Sequence, residues 1–344
     1  MKIGLIARCD DTGLGNQTLE LAKIINPDHI LLIDSSPFHP HNVQHPEWYE
    51  PWDYEKIQGV PEKQTVSQFM KRVDVIITCE TFYNNRLVDM AKQRGKKTIL
   101  QYNFEFLDYL QNPNMTLPDM LISPSPWRID EVKEKFGKQT NVQFLPPPTD
   151  ASLFDHNRIN NLKETKRLLH IGGKAAMHDR NGTQTVVEML KHSKEDYELV
   201  IRSQSDLDIK SSDDRVRFVI GNEAKREDMY SGYDAMILPR RYAGLCLPMN
   251  EALLSGLPVF MTDVSPNNYF LPDNWLAKSR VVGEFMTKTM LDIHEADPVL
   301  LAEKVDNYIR QDKKEEKDKA YQIGHSNFSS EALRDKYLEL INGV

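Results

Sequence analysis

The chain has 344 residues, of which 40% are hydrophobic and 27% charged, and it carries a formal net charge of −8. Those proportions are ordinary for a soluble globular protein, and the length suggests two domains of roughly 150 residues each. The acidic balance excludes a general attraction to nucleic acid or an anionic membrane and leaves only a local basic groove as a route to such partners.

In chain order, residues 3–7 read as a buried strand, followed by a loop holding Gly13 and Gly15 and a helix through residue 25. A strand at 29–33 precedes a segment, 34–54, rich in proline, histidine and aromatics. Strands are expected at 73–78, 98–101, 120–123 and 142–145, with helices at 84–94 and 129–136 between them. Pro146, Pro147 and Pro148 can continue neither a helix nor a central strand and mark a domain boundary. The pattern then restarts, with strands at 167–171, 198–202, 216–220, 235–238 and 259–261 and a helix at 182–191. From about residue 298 the chain reads as helical, with a solvated charge run at 312–319. Apolar strands alternating with amphipathic helices predict parallel sheets covered on both faces, in two doubly wound units. A cleft between them would place ligands at the carboxyl ends of the strands.

Cys9, Cys79 and Cys246 stand far apart without metal-type spacing, which fits a reducing compartment. The opening apolar run is too short for a signal peptide, and no stretch approaches bilayer-spanning length. A cytoplasmic location without a membrane span is the expectation.

The most informative stretch is 241–260. A small-residue turn with Gly244 follows a short apolar strand. Pro248 suits the first turn of a helix, Glu251 falls one turn inside it, and Gly256 with Pro258 ends it. Strand, turn and helix in this order aim backbone N–H groups above the strand ends, where anions bind, and a carboxylate one turn further could reach a ribose hydroxyl. Upstream, His170-Ile171-Gly172-Gly173-Lys174 is followed by Asp179-Arg180-Asn181-Gly182, two cations beside turn glycines. Fixed cations suit a leaving diphosphate, although such residues are often only surface charges. His170, ending a strand, reads as a satisfied buried histidine rather than a catalyst. Gly13 and Gly15 could approach a phosphate or sugar through their backbone, or simply serve a tight strand-to-helix turn.

These segments resemble the GT-B glycosyltransferases of the family 4 type. The resemblance implies an α/β fold of two Rossmann-like domains facing each other across a cleft. Residues 1–147 would hold the acceptor, with a C-terminal helix at about 321–344 packing back on them, and 148–320 would hold the donor. It implies transfer of a hexosyl or pentosyl group from a nucleotide-diphosphate sugar to an acceptor hydroxyl, with retention and without a metal or other cofactor. Lys174 and Arg180 would take the diphosphate and Glu251 the ribose. Gly13, Gly15, Gly173, Gly244, Leu245, Cys246 and Leu247 would contact the donor. The family motif has two glutamates; the second matches Glu251, while the first, which contacts the transferred sugar, falls on Ala243.

For the acceptor, Glu80, Glu105 and Asp108 follow strands of the first half and could orient a hydroxyl. Trp48 and Trp52 offer flat surfaces on which a sugar or base stacks, or belong to a loop folded onto its own aromatics. The nearby His39, His41 and His45 lack a standard zinc spacing. Nucleic acid as acceptor, such as a hydroxylated DNA base, is not indicated by charge, since 35–54 contains no Lys or Arg. A sugar-nucleotide epimerase would share the layout without an acceptor, and a non-catalytic nucleotide-sugar binder would account for Ala243.

Overall fold

In the computed structural model, which describes residues 1–34, 44–173, 177–221, 223, 225–242 and 244–344, the chain divides into two units. One comprises 1–149 with 330–344, the other 150–329.

The first unit is a seven-stranded parallel sheet. In chain order it contains β1 (Ile3–Arg8), α1 (Gly13–Ile25), β2 (His29–Asp34), β3 (Tyr54–Gln58), α2 (Lys63–Phe69), β4 (Val75–Cys79), α3 (Leu87–Gln93), β5 (Lys97–Gln101), β6 (Met120–Ser123), α4 (Ile129–Phe136) and β7 (Asn141–Phe144). The strand order is β3-β2-β1-β4-β5-β6-β7. Central strands such as β4 are buried along their whole length, as expected when helices cover both faces. β3 (Tyr-Glu-Lys-Ile-Gln) was not expected. As an edge strand it is half-buried at two positions and exposed elsewhere, so it carries little of the apolar signal by which strands are recognised.

The second unit contains α5 (Asp155–Asn161), β8 (Arg167–Gly173), α6 (Thr183–Met189), β9 (Glu198–Ser203), β10 (Val216–Ile220), β11 (Ala235–Ile237), α7 (Leu247–Leu254), β12 (Val259–Thr262), α8 (Asn267–Phe270) and β13 (Leu276–Ala277). Its six parallel strands run β10-β9-β8-β11-β12-β13. An antiparallel hairpin, β14 (Ser279–Met286) with β15 (Met290–Ala296), leads into α9 (Pro298–Arg310) and α10 (Lys313–Phe328).

The return to the first unit begins at Ser330, not near residue 321, because α10 stays on the second unit. A Cβ at Gly324 would lie 2.7 Å from the Leu253 carbonyl carbon, so α10 lies directly against α7. The buried Lys317 ammonium donates to Asp234 Oδ1 at 2.9 Å. Only α11 (Ser330–Asn342) packs on the first unit, burying Leu333, Tyr337 and Ile341 in its core. The Gln101 side chain donates to the Tyr337 hydroxyl at 2.6 Å, and that hydroxyl donates to the Pro146 carbonyl at 2.8 Å. The Ser330 amide donates to the Thr149 carbonyl at 2.9 Å, so the outgoing and returning chain lie side by side.

Candidate functional site

In each sheet the strand order reverses beside the first strand, and in open α/β sheets that crevice at the carboxyl ends is where ligands bind. In the second unit it lies between β8 and β11. His170, fully buried on β8, ties the two loops there together. Its Nδ1 lies 2.7 Å from the Ile237 carbonyl and its Nε2 2.9 Å from Thr183 Oγ1. Burial pushes its pKa below the usual histidine value, so the ring acts as a neutral strut.

The loop after β8 is wound tightly. His178 and Asp179 both have positive φ, 57° and 48°. The Asp179 carboxylate accepts from the Thr183 and Gln184 amides at 3.0 and 2.8 Å. It thereby occupies N–H groups of α6 that a phosphate would otherwise use. The Asn181 amide donates to the Ile171 and Gly172 carbonyls at 3.1 and 2.9 Å. Gly182, at φ 73°, allows the loop to touch the Pro239 carbonyl, which any Cβ would overlap. Gly173 ends β8 at φ 71°. The half-buried Arg180 places its guanidinium carbon 5.7 Å from the centre of the Tyr242 ring, which packs edge-on against Phe285 of β14 at 4.6 Å. Lys174, expected beside it, lies outside the described residues.

The second loop follows β11. Ala243 lies outside the described residues, and Gly244 is buried. Cys246 stands at the N-cap of α7, and its side chain makes no capping hydrogen bond. Leu247 and Pro248 open α7, and Glu251 sits one turn in with its side chain only 5% exposed. The Tyr230 hydroxyl donates to Glu251 Oε2 at 2.5 Å, and Arg226 Nε lies 3.4 Å from Oε1. Tyr230 is fully buried, and that burial, reinforced by Glu251, raises its pKa well above the usual tyrosine value. Sequence reasoning missed both partners, because nothing in the spacing of a short 3₁₀ turn at Arg226–Tyr230 connects it to α7.

Arg240 and Arg241 are committed elsewhere. Arg240 is buried and donates to the Leu245 carbonyl. Arg241 donates to the His178 carbonyl at 2.7 Å and to the His294 carbonyl at 3.1 Å, pinning the first loop and the hairpin.

The first unit has its crevice between β1 and β4. Gly15 is explained by packing: a Cβ there would overlap the Asp10 carbonyl. Its amide already donates to Thr12 Oγ1 at 3.3 Å, and Gly13 is the exposed first residue of α1. The expected donor contact through Gly15 is therefore not carried by this geometry.

After β4, Glu80 opens a cavity of about 420 Å³ whose walls include Asp108, Tyr83, Tyr109, Val88 and Leu100. Glu105 is buried and does not line it. Trp52 is at the other end of the sheet. Its indole donates to Asn26 Oδ1 at 3.0 Å, and the next residue, Asp53, accepts from Ile30 at the start of β2. The segment from His45 crosses one face, with Trp48 stacked on His45 at 4.5 Å and packed, like Trp52, against the core. For Trp52, burying the aromatic against the core overrides the platform role. His39 and His41 lie outside the described residues, while His45 Nδ1 meets Glu47 Oε1 at 2.9 Å. Among the described residues no group of three or more His, Cys, Asp or Glu is placed to hold a metal ion, and no helix is long and apolar enough to cross a membrane.

Two Rossmann-like sheets in these strand orders give the chain the fold of the GT-B glycosyltransferases. The match to solved structures runs the length of the chain. HepE of Anabaena in complex with UDP superposes with a TM-score of 0.73 at 11% identity, covering 100% of both chains. Sucrose-phosphate synthase from Thermosynechococcus elongatus gives 0.69 at 14% identity, over 100% of this chain and 98% of that one. A glycosyltransferase from Rickettsia africae gives 0.68 at 12% identity, over 99% and 98%. No protein-family model and no curated protein matches the sequence.

Proposed function

We propose that the chain is a glycosyltransferase that moves a sugar from a nucleotide-diphosphate sugar to an acceptor hydroxyl, with retention and without a metal ion. The observation that carries this reading is Glu251, a buried carboxylate held by Tyr230 and Arg226 one turn inside a helix whose N-cap side chain makes no capping bond. A helix start beside the switch-point strand suits a phosphate, and a preorganised carboxylate one turn further suits the ribose hydroxyls. Arg180, with Lys174 as its expected companion, would neutralise the diphosphate as the anomeric bond breaks. The backbone from Gly244 through Leu247 would stabilise the same charge. With Asp179 occupying the start of α6, side-chain cations rather than the amides of that helix carry the load on that side. UDP and UDP-glucose, present in complexes of HepE, are the first donors to try.

The experiment is calorimetry of UDP, GDP and ADP with the full chain in excess chelator, followed by a transfer assay in which NMR reads the anomeric configuration of the product. Metal-free binding of one nucleotide and a retained anomer are expected. Binding that required Mg²⁺ or Mn²⁺ would overturn the cation-clamp account. Binding without transfer to any acceptor would favour a nucleotide-sugar binder.

A further inference from the structure

Four strands form the edges of the two sheets, and three of them are protected. β3 carries the exposed charges Glu55 and Lys56, β7 runs into Pro146, Pro147 and Pro148, and β13 has only two residues. Charges, prolines and short length are the devices by which sheet edges avoid pairing with another chain. β10 has none of them beyond Arg217, whose guanidinium lies 3.9 Å from Glu198.

The bonds at the two ends of β10 fix the direction of its backbone. The Leu199 amide donates to the Arg215 carbonyl and the Gly221 amide to the Ser203 carbonyl, both at 2.8 Å. Between these points β10 pairs with β9 without a shift of register. Backbone groups alternate in direction along a strand, so Arg217 and Val219 face β9 while Val216, Phe218 and Ile220 face outward. The Val216 amide serves the preceding turn, donating to the Asp213 carbonyl at 3.0 Å. Among the described residues the amides and carbonyls of Phe218 and Ile220 have no partner. Their side chains are 38% and 60% exposed, on the same face as the half-buried Val216. An outward row of amides and carbonyls beside apolar side chains accepts an extended strand with apolar residues at alternate positions.

β10 of a second copy is such a strand. One edge meeting itself makes an isologous contact, in which both copies play the same part. A parallel ladder gives its two strands unequal parts, so the pair is antiparallel. Charge and length then set the register. Centred on Arg217, the pair would place two like charges opposite each other, which is destabilising. Centred on Val219, it would push Val216 past the end of the other strand. Centred on Phe218, it pairs all five residues, with Phe218 facing its own copy and Val216 facing Ile220.

We infer that the chain forms a two-fold dimer in which β10 pairs antiparallel with β10 of a second copy across Phe218, joining the two six-stranded sheets into one. The two Phe218 residues exchange a pair of backbone bonds, and each Ile220 amide donates to the Val216 carbonyl of the other copy. The assembly is closed, because the far edge of each sheet ends on the two-residue β13. The dimer does not depend on the transferase reading.

Sedimentation velocity of the full chain, from low micromolar to submillimolar loading, should show monomer giving way to dimer. Phe218→Pro removes an outward amide and leaves the β9 ladder intact, as an edge strand tolerates, and Ile220→Lys puts a charge on the edge. Each should stay monomeric at the highest loading, with near-ultraviolet circular dichroism and urea midpoints reporting the fold. Under mild oxidation Phe218→Cys should cross-link, since residues facing each other there lie about 5.5 Å apart between Cα atoms, within disulfide reach. Ile220→Cys, facing Val216 instead, should not, and the native Cys9, Cys79 and Cys246 are buried. The cysteine pair decides the matter should neither of the other variants fold. A wild type that is monomeric throughout, a dimer that persists in folded Phe218→Pro or Ile220→Lys chains, or cross-linking at 220 with none at 218 would each overturn the inference.

Discussion

The two units share a strand order, yet the crevices beside their first strands differ in charge. In the second unit the loops after β8 and β11 carry Arg180, Arg240, Arg241 and Asp179, and Arg226, from the turn before β11, reaches Glu251 on α7. In the first unit the loop after β4 presents Glu80 to a cavity whose described walls include Asp108 and apolar and aromatic side chains such as Phe82, Val88, Leu100 and Tyr109. Both units cap the helix after their first strand with their own side chains, Thr12 on α1 and Asp179 on α6. Topology therefore fixes where a ligand can sit in each unit, and loop chemistry decides which ligand.

The largest expected effects probe the two glycine turns. Gly15→Ala would overlap the Asp10 carbonyl and Gly182→Ala the Pro239 carbonyl, in both cases backbone that cannot swing aside. Each should cost its unit about 3 kcal/mol, the upper end for overpacking. Denaturant unfolding followed alongside UDP binding separates them: Gly15→Ala should leave UDP affinity intact and Gly182→Ala should lower it. Loss of UDP affinity in a folded Gly15→Ala chain would restore a donor role to the first glycine turn.

Glu251 comes next. Replacement by Ala leaves the buried Tyr230 hydroxyl without its acceptor, a loss of about 1–3 kcal/mol to the second unit. Glu251→Gln keeps an acceptor oxygen and should cost less stability while weakening nucleotide binding by about 1.5–3 kcal/mol, the range for hydrogen bonds to a charged group. A folded Glu251→Gln chain with wild-type UDP affinity would remove this residue from the site.

The acid response should be of about half that size and confined to one unit. The pKa of His170 is lowered by burial, so the folded state resists its protonation and the unfolded chain takes up the proton first. Stability from this group is full above the unfolded value near 6.5 and is lost as pH falls below it. Between pH 6.5 and 5.5 the second unit should lose up to about 1 kcal/mol through this histidine. Urea midpoints at the two pH values measure it, and equal sensitivity in a folded His170→Gln chain would assign the slope to another group.

The smallest effect concerns the cap of α6. Asp179→Ala should cost about 1 kcal/mol, typical for an N-cap. If the freed amides can then serve a phosphate, UDP affinity rises; calorimetry with an unchanged or weakened Kd would mean that the donor phosphates do not reach α6.

Much of this was legible from periodicity alone. The helix at Ile129–Phe136 and the strands at Met120–Ser123 and Val216–Ile220 fall on the expected residues, because apolar runs bounded by turns leave little choice. The hairpin Ser279–Met286 with Met290–Ala296 escaped notice. Its Val281, Val282, Met286 and Met290 are exposed, so its apolar residues do not alternate between a core face and a solvent face. At the site, Glu251 was visible from strand, proline and helix in sequence. Asp179 was read only as a neighbour of Arg180, since a cap is recognised by geometry that spacing does not convey. Arg240 is buried on a carbonyl, a fit that an arginine's place in the sequence does not signal. Trp52 looked like a binding platform and holds down the end of α1, because an aromatic-rich segment reads the same whether it faces a ligand or its own core.

The hydrogen bond between Ser330 and Thr149 has a consequence for how the chain is made. Residues 150–329 form one uninterrupted unit, whereas the other is completed only when 330–344 has been added. On the ribosome, where domains fold as they emerge, the unit begun first is finished second. Until α11 arrives, Gln101 lacks its Tyr337 partner, and Leu333, Tyr337 and Ile341 are missing from that core. The nascent first half therefore waits with an open hydrophobic groove while a complete domain folds behind it, and chaperone engagement during synthesis should concentrate there.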